Sequence, residues 1–422
     1  MLSRRLLLQA AAASATLAQL PLSARLAMAG AEADKRLIVV VLRGAMDGLA
    51  AAAPWGDRDY RAQRGALALA RPGEPGGLLD LDGLFGLHPA LAPLQPLWAR
   101  GELAIAPAVA TGYRDRSHFD AQDILENGTD TAYAVPDGWL NRALAPLGGH
   151  DRKIGLAVGT TVPLLMRGPV RIATYAPKLL PDVDDAFLAK VRQMYAGDDV
   201  LHTMLEEAVE SSGMVEQAMG EPVRGEPAMA DSGMGAPRRR RIYNPRRKNG
   251  PEATRELFTA AGKLLADANG PRIAVIDTGG WDTHAGQGAA EGALAIQFRT
   301  LASGLAALPE ALGPAWAKTA VIVVTEFGRT AQVNGSGGTD HGTGSLALLM
   351  GGAVRGGRVL TPWPGMSEKA LFEGRDVAPA TDLRALFKGL LRDHAGVPEA
   401  ALEDKVFPGS RSVRPLDGLV RL

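Results

Sequence analysis

The chain has 422 residues, with 46 basic and 46 acidic side chains and no cysteine. That balance gives no global attraction for nucleic acid, and the missing thiols exclude disulfides, thiolate metal sites and cysteine nucleophiles. The length suits one large domain or two ordinary ones, and 51 glycines call for many tight turns and close backbone approaches.

The amino terminus has the layout of a signal peptide. Ser3-Arg4-Arg5 precedes Leu6-Leu7-Leu8 and an Ala-rich apolar stretch to about Leu22, and Ala27-Met28-Ala29 offers a small-residue cleavage site before Gly30. The paired arginines point to the twin-arginine route. A retained anchor is the other reading, but the apolar stretch is shorter than the ~20 residues a spanning helix needs and contains Pro21 and Arg25. The expectation is export with removal of residues 1–29, to the periplasm or the medium, with no integral membrane segment left.

Leu37 to Leu42 is fully apolar, as in a central parallel strand, and runs into Arg43-Gly44-Ala45-Met46-Asp47-Gly48. Asp47 is equally a candidate ligand and a cap on the next turn. Phe85 to Leu91 opens a short helix, with His88 read as structural. Leu103 to Val109 reads as a second strand, followed by TGYRDRSHFDAQD from Thr111 to Asp123. Ser117 sits where a helix would begin. It suits an N-cap, with Asp120 as an acid in the first turn. It also suits a hydroxyl presented at an electropositive helix start to an anionic substrate, and the two readings are compatible.

Asp137 to Leu147 reads as a helix, Lys153 to Ala173 as two or three short strands, and about Asp182 to Gly220 as helical. Glu221 to Gly250 is rich in Gly, Pro and Met, carries four arginines from Arg238 to Arg241 and lacks apolar periodicity. It reads as a mobile loop or linker, so that about 195–252 forms an insertion. The arginine run is either a solvated face or a docking patch for acidic envelope polymers. An amphipathic helix from Ala253 to Ala268, a strand from Ile273 to Ile276 and a long helix from Ala289 to Leu312 follow. Strands then fall at Ala320 to Thr325 and Ser345 to Met350, and a late helix spans Asp382 to Leu391 with Thr381 as its cap. Strands alternating with helices indicate an α/β fold with a largely parallel sheet.

Two loops concentrate the chemistry. One is Gly279-Gly280-Trp281-Asp282-Thr283-His284. The other begins at Glu326-Phe327-Gly328-Arg329 and ends in Asp340-His341-Gly342. Ligands collect at the carboxyl ends of strands in such sheets. His118, His284 and His341 all lie in segments that also carry Asp, and imidazole with carboxylate suits Zn²⁺, Mn²⁺ or another divalent ion. Asp282 and His284, two residues apart, point the same way in extended backbone. Asp340 and His341 are adjacent, so they would serve different ions or one would support the other. A one- or two-metal centre follows, with Arg43 or Arg329 gripping an anionic oxygen. No Gly-x-Ser-x-Gly elbow and no phosphate-binding Walker loop occurs.

LRGAMDGL, RSHFDAQD, GGWDTHAGQ, TEFGRTAQVNGSGGTDHG and GRDVAPATDLRALFKGLL, in this order, closely resemble the bacterial family called domain of unknown function 1501. That family is grouped with the alkaline phosphatase and sulfatase superfamily. The resemblance implies a doubly wound, alkaline-phosphatase-like sheet with a metal centre at its carboxyl edge, holding one or two ions of Zn, Mn, Ca or Mg. By motif, Asp47 resembles the first-strand metal acid and Ser117 the hydroxyl nucleophile, with Asp282 and His284 in one ligand loop and Asp340 and His341 in another. Where an Asp-His pair commonly follows the late strand, this chain has Glu326-Phe327, so Glu326 is the candidate substitute ligand. The chain lacks the cysteine of a formylglycine sulfatase, and Ser117 is not in the serine context that could replace it.

The expected function is hydrolysis of a phosphate or sulfate ester by an exported metalloenzyme. The alternative is a non-catalytic envelope binding or assembly protein that retains the fold. The expected partners are an anionic ester substrate and a protein of the envelope, with no nucleic acid.

Overall fold

The computed structural model describes residues 34–148, 154–176, 185–199, 201–203, 205, 206, 209 and 250–421. The signal-peptide layout at 1–29 and the arginine-rich linker at 221–249 lie outside the described residues.

The apolar run after Lys35 forms strand β1 (Arg36–Leu42), every residue of which is buried. Successive side chains on a strand face opposite ways, so a strand buried on both faces must be apolar throughout. Ile38, Val40 and Leu42 join one core, together with Phe258, Leu265, Phe298 and Leu305. Leu37, Val39 and Val41 join a second, with Leu140, Leu144, Leu386 and Leu390. Helices Pro251–Ala266 and Ala293–Leu305 thus cover one face, and helices Trp139–Leu144 and Leu383–Asp393 the other.

Three short strands, β2 (Ala52–Ala53), β3 (Leu79–Asp80) and β4 (Gly86–Leu87), make a small separate sheet. The main sheet contains β1 with β5 (Leu103–Ala110), β6 (Gly155–Val158), β7 (Ala173–Tyr175), β8 (Ile273–Thr278), β9 (Thr319–Val324), β10 (Ser345–Met350), β11 (Arg358–Val359) and β12 (Thr381–Asp382). Its order is β11-β5-β10-β9-β1-β8-β6-β7, with β12 beside β5. β1 lies between β8 and β9, parallel to both.

The mixed α/β architecture with a largely parallel central sheet is as the sequence indicates, with one departure that matters for the site. β10 runs antiparallel to both β5 and β9. Its first residue, Ser345, therefore lies at the edge where β1, β5, β8 and β9 end, and the loop entering it is delivered to that edge.

Smaller boundaries move too. The expected helix over Ala289–Leu312 starts at Ala293 and breaks after Leu305, and Pro309 falls in the first turn of a second helix, Leu308–Leu312, where a missing N–H costs nothing. The late helix is capped by Asp382, not Thr381: Asp382 accepts the Arg384 N–H at 2.8 Å, while Thr381 sits in β12. Residues Phe85 to Leu91 hold β4 and then a 3-10 turn, Pro89–Leu94. His88 is structural: Nδ1 accepts the Ala90 N–H and Nε2 meets the Ala289 carbonyl.

His394 follows the last long helix, and its Nε2 lies 2.8 Å from the Arg36 carbonyl at the start of β1. Burial lowers its pKa to about 4, so the native state holds it neutral, whereas the unfolded chain protonates it near 6.5. The unfolded state binds the extra proton between those values, so stability is complete above about pH 6.5 and is lost as pH falls toward 4. His394→Gln, which keeps a donor for Arg36, should flatten this limb by on the order of 3 kcal/mol, as read from denaturant melts at pH 7 and pH 4.5.

Candidate metal centre

Four segments meet at the carboxyl edge of the sheet. β5 runs into the loop at Thr111 and then into helix His118–Asn127, whose first residue is His118. β8 runs into the Gly279–His284 loop. β9 runs into Thr325 and Glu326. The return segment, ending at His341, bridges back onto Arg329 before β10 begins. Gly44, after β1, is pressed against the Asp282 loop: it has φ of +118°, and a Cβ there would lie 2.7 Å from the Asp282 nitrogen. Gly338 plays the same part for the return segment, where a Cβ would meet the His284 carbonyl group at 2.4 Å.

Three imidazole nitrogens and one carboxylate oxygen converge here. His341 Nε2 lies 3.0 Å from His118 Nε2 and 2.9 Å from His284 Nε2. Asp282 Oδ1 lies 3.0 Å from His284 Nε2, 3.3 Å from His341 Nε2 and 3.5 Å from His118 Nε2. A tetrahedral centre with bonds of about 2.0–2.1 Å separates its donors by about 3.3 Å, so the spacing of His118, Asp282 and His341, whose ligand atoms lie within 4.8 Å of one another, suits a single small divalent ion, with His284 Nε2 on its flank against His341 and Asp282. Asp282 and His284 keep 44% and 43% of their side-chain surface, which leaves the cluster open to solvent on one side.

The outer ring nitrogens decide what the inner ones carry. His341 Nδ1 lies 3.0 Å from the Arg116 carbonyl, which can only accept, so this nitrogen bears the hydrogen. His118 Nδ1 lies 2.8 Å from Glu326 Oε1, and His284 Nδ1 lies 3.4 Å from Asp340 Oδ1. In a neutral ring with Nδ1 protonated, Nε2 presents a lone pair. Three lone pairs and a carboxylate oxygen then face one another, an arrangement that repels itself unless a cation sits among them. The residues present therefore fit a divalent metal, with the acceptors behind each ring fixing its tautomer and orientation.

Glu326 is the most firmly held of these acceptors. It is fully buried, which alone would raise its pKa. Hydrogen bonds from His118 and Gln122 prevail, with the Gly44 N–H adding to them, and hold it at about 2. The same contact with Glu326 raises the His118 pKa. Burial and the neighbouring His118 lower that of His341. Asp282, whose burial opposes ionisation, is kept low by Arg329 Nη2, 2.5 Å from Oδ1.

The structure separates the residues that the sequence put in one list. Asp282, His284 and His341 converge. Glu326 and Asp340 stand behind His118 and His284 and back the rings. Asp47 lies apart: it is fully buried, paired with Arg64 at 2.6 Å, bonded to Gln287 at 2.7 Å, and caps the helix Gly48–Ala51. The capping alternative describes it, and both of its oxygens are spent.

Arg43 is tied between Glu126 at 2.7 Å and Asp277 at 2.8 Å, and so is not free to grip a substrate oxygen. Arg329 is fully buried with its guanidinium bonded to Ala45, Thr339, Gly44 and Asp282, and it likewise reaches no substrate. Ser117 occupies the cap position of the His118 helix, but its side chain makes no capping bond. His118 also joins the cluster: the sequence singles it out with His284 and His341, but the motif resemblance gives it no ligand role. Its signal was the Asp-rich RSHFD segment at a strand end, where Ser117 drew the functional reading. Among the described residues, one group of three or more such donors within mutual reach is present, His118, Asp282 and His341, so a second metal site has no support.

The family described as "Protein of unknown function (DUF1501)" matches residues 105–406. The chain belongs to this family. No curated protein matches it. Among solved structures, the phosphonate monoester hydrolase of Agrobacterium radiobacter is similar at 14% identity, over 86% of this chain and 74% of that one, with a TM-score of 0.38. So distant a likeness carries no functional argument, and the chemistry of this DUF1501 chain rests on its own side chains.

Two substitutions separate the roles assigned above. Glu326→Gln should weaken divalent-metal binding by about 10–100-fold, as measured by competition with a chromophoric chelator. Asp47→Asn should leave metal stoichiometry unchanged in folded protein. It should nonetheless cost about 3–5 kcal/mol in denaturant melts, because Arg64 is left as an unpaired buried charge. Loss of metal in the Asp47 variant at full stability would reverse this assignment.

Proposed function

We propose that this protein is an exported, metal-dependent hydrolase of phosphate or sulfate esters, built on one divalent ion. One observation carries the reading: three Nε2 atoms and Asp282 Oδ1 converge with each Nδ1 already committed to an acceptor. His118, His284, His341 and Asp282 would hold the ion. Bound there, a divalent ion supplies Lewis-acid polarisation of an ester oxygen.

The chain's own residues supply the rest. Ser117 is the proposed nucleophile. It precedes a metal-holding histidine, and its hydroxyl is not used in capping. It lies against Tyr113, whose phenol donates to Asp120 Oδ2 at 3.0 Å. Burial and the Asp120 bond raise the Tyr113 pKa, so the phenol stays protonated and can receive one proton on its oxygen while passing another to Asp120. The exposed flank of Asp282 and His284 leaves room for an ester to approach. Among the described residues no helix is long and apolar enough to cross a membrane.

Metal analysis with activity assay tests the reading. Purified protein should carry about one divalent ion per chain, and it should turn over aryl phosphates or sulfates only when metal is present. His284→Ala should lose both metal and turnover, whereas Ser117→Ala should keep the metal and lose turnover by at least about 10²-fold. Stoichiometric metal with no turnover of either ester class would instead favour a binding or assembly role in the envelope.

A further inference from the structure

A second concavity lies in the segment after β2. It encloses about 210 Å³ and is bordered by Trp55, Asp57, Arg58, Tyr60, Arg61, Leu69 and Arg71. The segment is ordered by its own bonds: the Leu69 N–H donates to the Tyr60 hydroxyl at 3.1 Å, and Trp55 N–H to the Ala53 carbonyl at 2.9 Å. What remains unpaired around the hollow is a set of donors.

Asp57 is the one acid on this border, and its oxygens are already spent. Oδ1 accepts the Asp59 N–H at 3.0 Å, and Oδ2 accepts from Trp363 Nε1 at 2.9 Å and Met366 N–H at 3.1 Å. Arg58 makes only a 3.3 Å contact to Asp59, and its side chain is 87% exposed. Glu74 bonds the backbone N–H of Arg71, not its guanidinium. Among the described residues no carboxylate lies within ion-pair distance of the Arg61 or Arg71 side chain. Three guanidinium-bearing side chains thus border the hollow.

We infer that this hollow is a binding site for a small organic oxoanion, a phosphate or sulfate monoester, held by Arg58, Arg61 and Arg71. Guanidinium groups match the geometry of such oxygens in paired hydrogen bonds. Leu69 and the rings of Trp55 and Tyr60 give the hollow an apolar floor, so an ester with a short organic group fits better than a bare ion. The volume is below the range of about 300–1,000 Å³ usual for drug-sized ligands, which limits that group to about one ring. The site does not depend on the metal centre and would stand if the hydrolase reading failed.

Calorimetric titration of the full chain with phenyl phosphate, inorganic phosphate and sulfate tests this. Phenyl phosphate should bind more tightly than either inorganic ion. The Arg61→Ala, Arg71→Ala double variant should weaken it by at least about tenfold. Both arginines are exposed, so the variant should fold. His284→Ala, which disrupts the metal centre, should retain the binding. The inference is overturned if the wild type binds none of the three, if the arginine double variant binds as the wild type does, or if His284→Ala alone abolishes binding.

Discussion

The centre depends on one buried guanidinium. Arg329 is 1% exposed, and its donors reach three separate parts of the chain. These are the carbonyls of Gly44 and Ala45 after β1, the Trp281 carbonyl with the adjacent Asp282 carboxylate, and the Thr339 carbonyl. Loops at the edge of a sheet have few apolar contacts to hold them, and their free carbonyls need donors. A planar fork with five N–H groups can satisfy several at once in fixed directions. The charge is stabilised by carbonyl dipoles and one carboxylate, and in return it fixes where Asp282 points. Reading Arg329 as a substrate clamp assigned the right importance to the wrong task. It holds the loops to one another, not an ester to the loops.

That arrangement is possible because of how the sheet is wound. Apolar runs such as Leu37–Leu42 and Thr319–Val324 are buried on both faces, and a chain so buried exits only at the strand ends. The sequence showed this plainly, since continuous β-branched runs alternating with amphipathic helices have few other solutions. It did not show that β10 runs backwards. Strand direction leaves no mark on the composition of a fully buried strand. The fourteen-residue delay between Glu326 and Asp340 therefore looked like a displaced motif. In the structure it is the length of a loop that leaves β9 and re-enters an antiparallel neighbour at the same edge. His341 comes to the cluster because β10 starts there.

The ligand loops were legible as candidates, but the roles within them were not. Asp282, His284 and His341 stand out because Asp and His follow strand ends. Whether an acid touches a metal or backs an imidazole is a matter of an ångström or two, and both tasks need the same residue type. Glu326 and Asp340 illustrate the second task. Each sits beyond a ring nitrogen, where its charge favours the tautomer that turns the other nitrogen inward. His118, noticed beside Asp but given no ligand role by motif, met the opposite ambiguity. A Ser-His pair at a helix start offers two functional groups, and the familiar choice for such a place is the hydroxyl.

Asp47 shows why spacing alone is a weak guide to a buried acid. A carboxylate sealed from water must meet a counter-charge, and after the first strand of an α/β fold a metal is one candidate. Here the counter-charge is Arg64, seventeen residues on, in the short helix Tyr60–Arg64. Nothing in YRAQR marks that arginine as different from Arg61, which stays at the surface. Only the fold back over β1 decides which one is buried. Gln287 closes the other side of Asp47 and also accepts from Thr283 and Thr339, so the pair is stitched to both loops without reaching the donor cluster. A guanidinium can therefore take up a buried acid that a second metal would otherwise need. With Arg64 on Asp47 and Arg329 on Asp282, each of these two acids already has a guanidinium counter-charge.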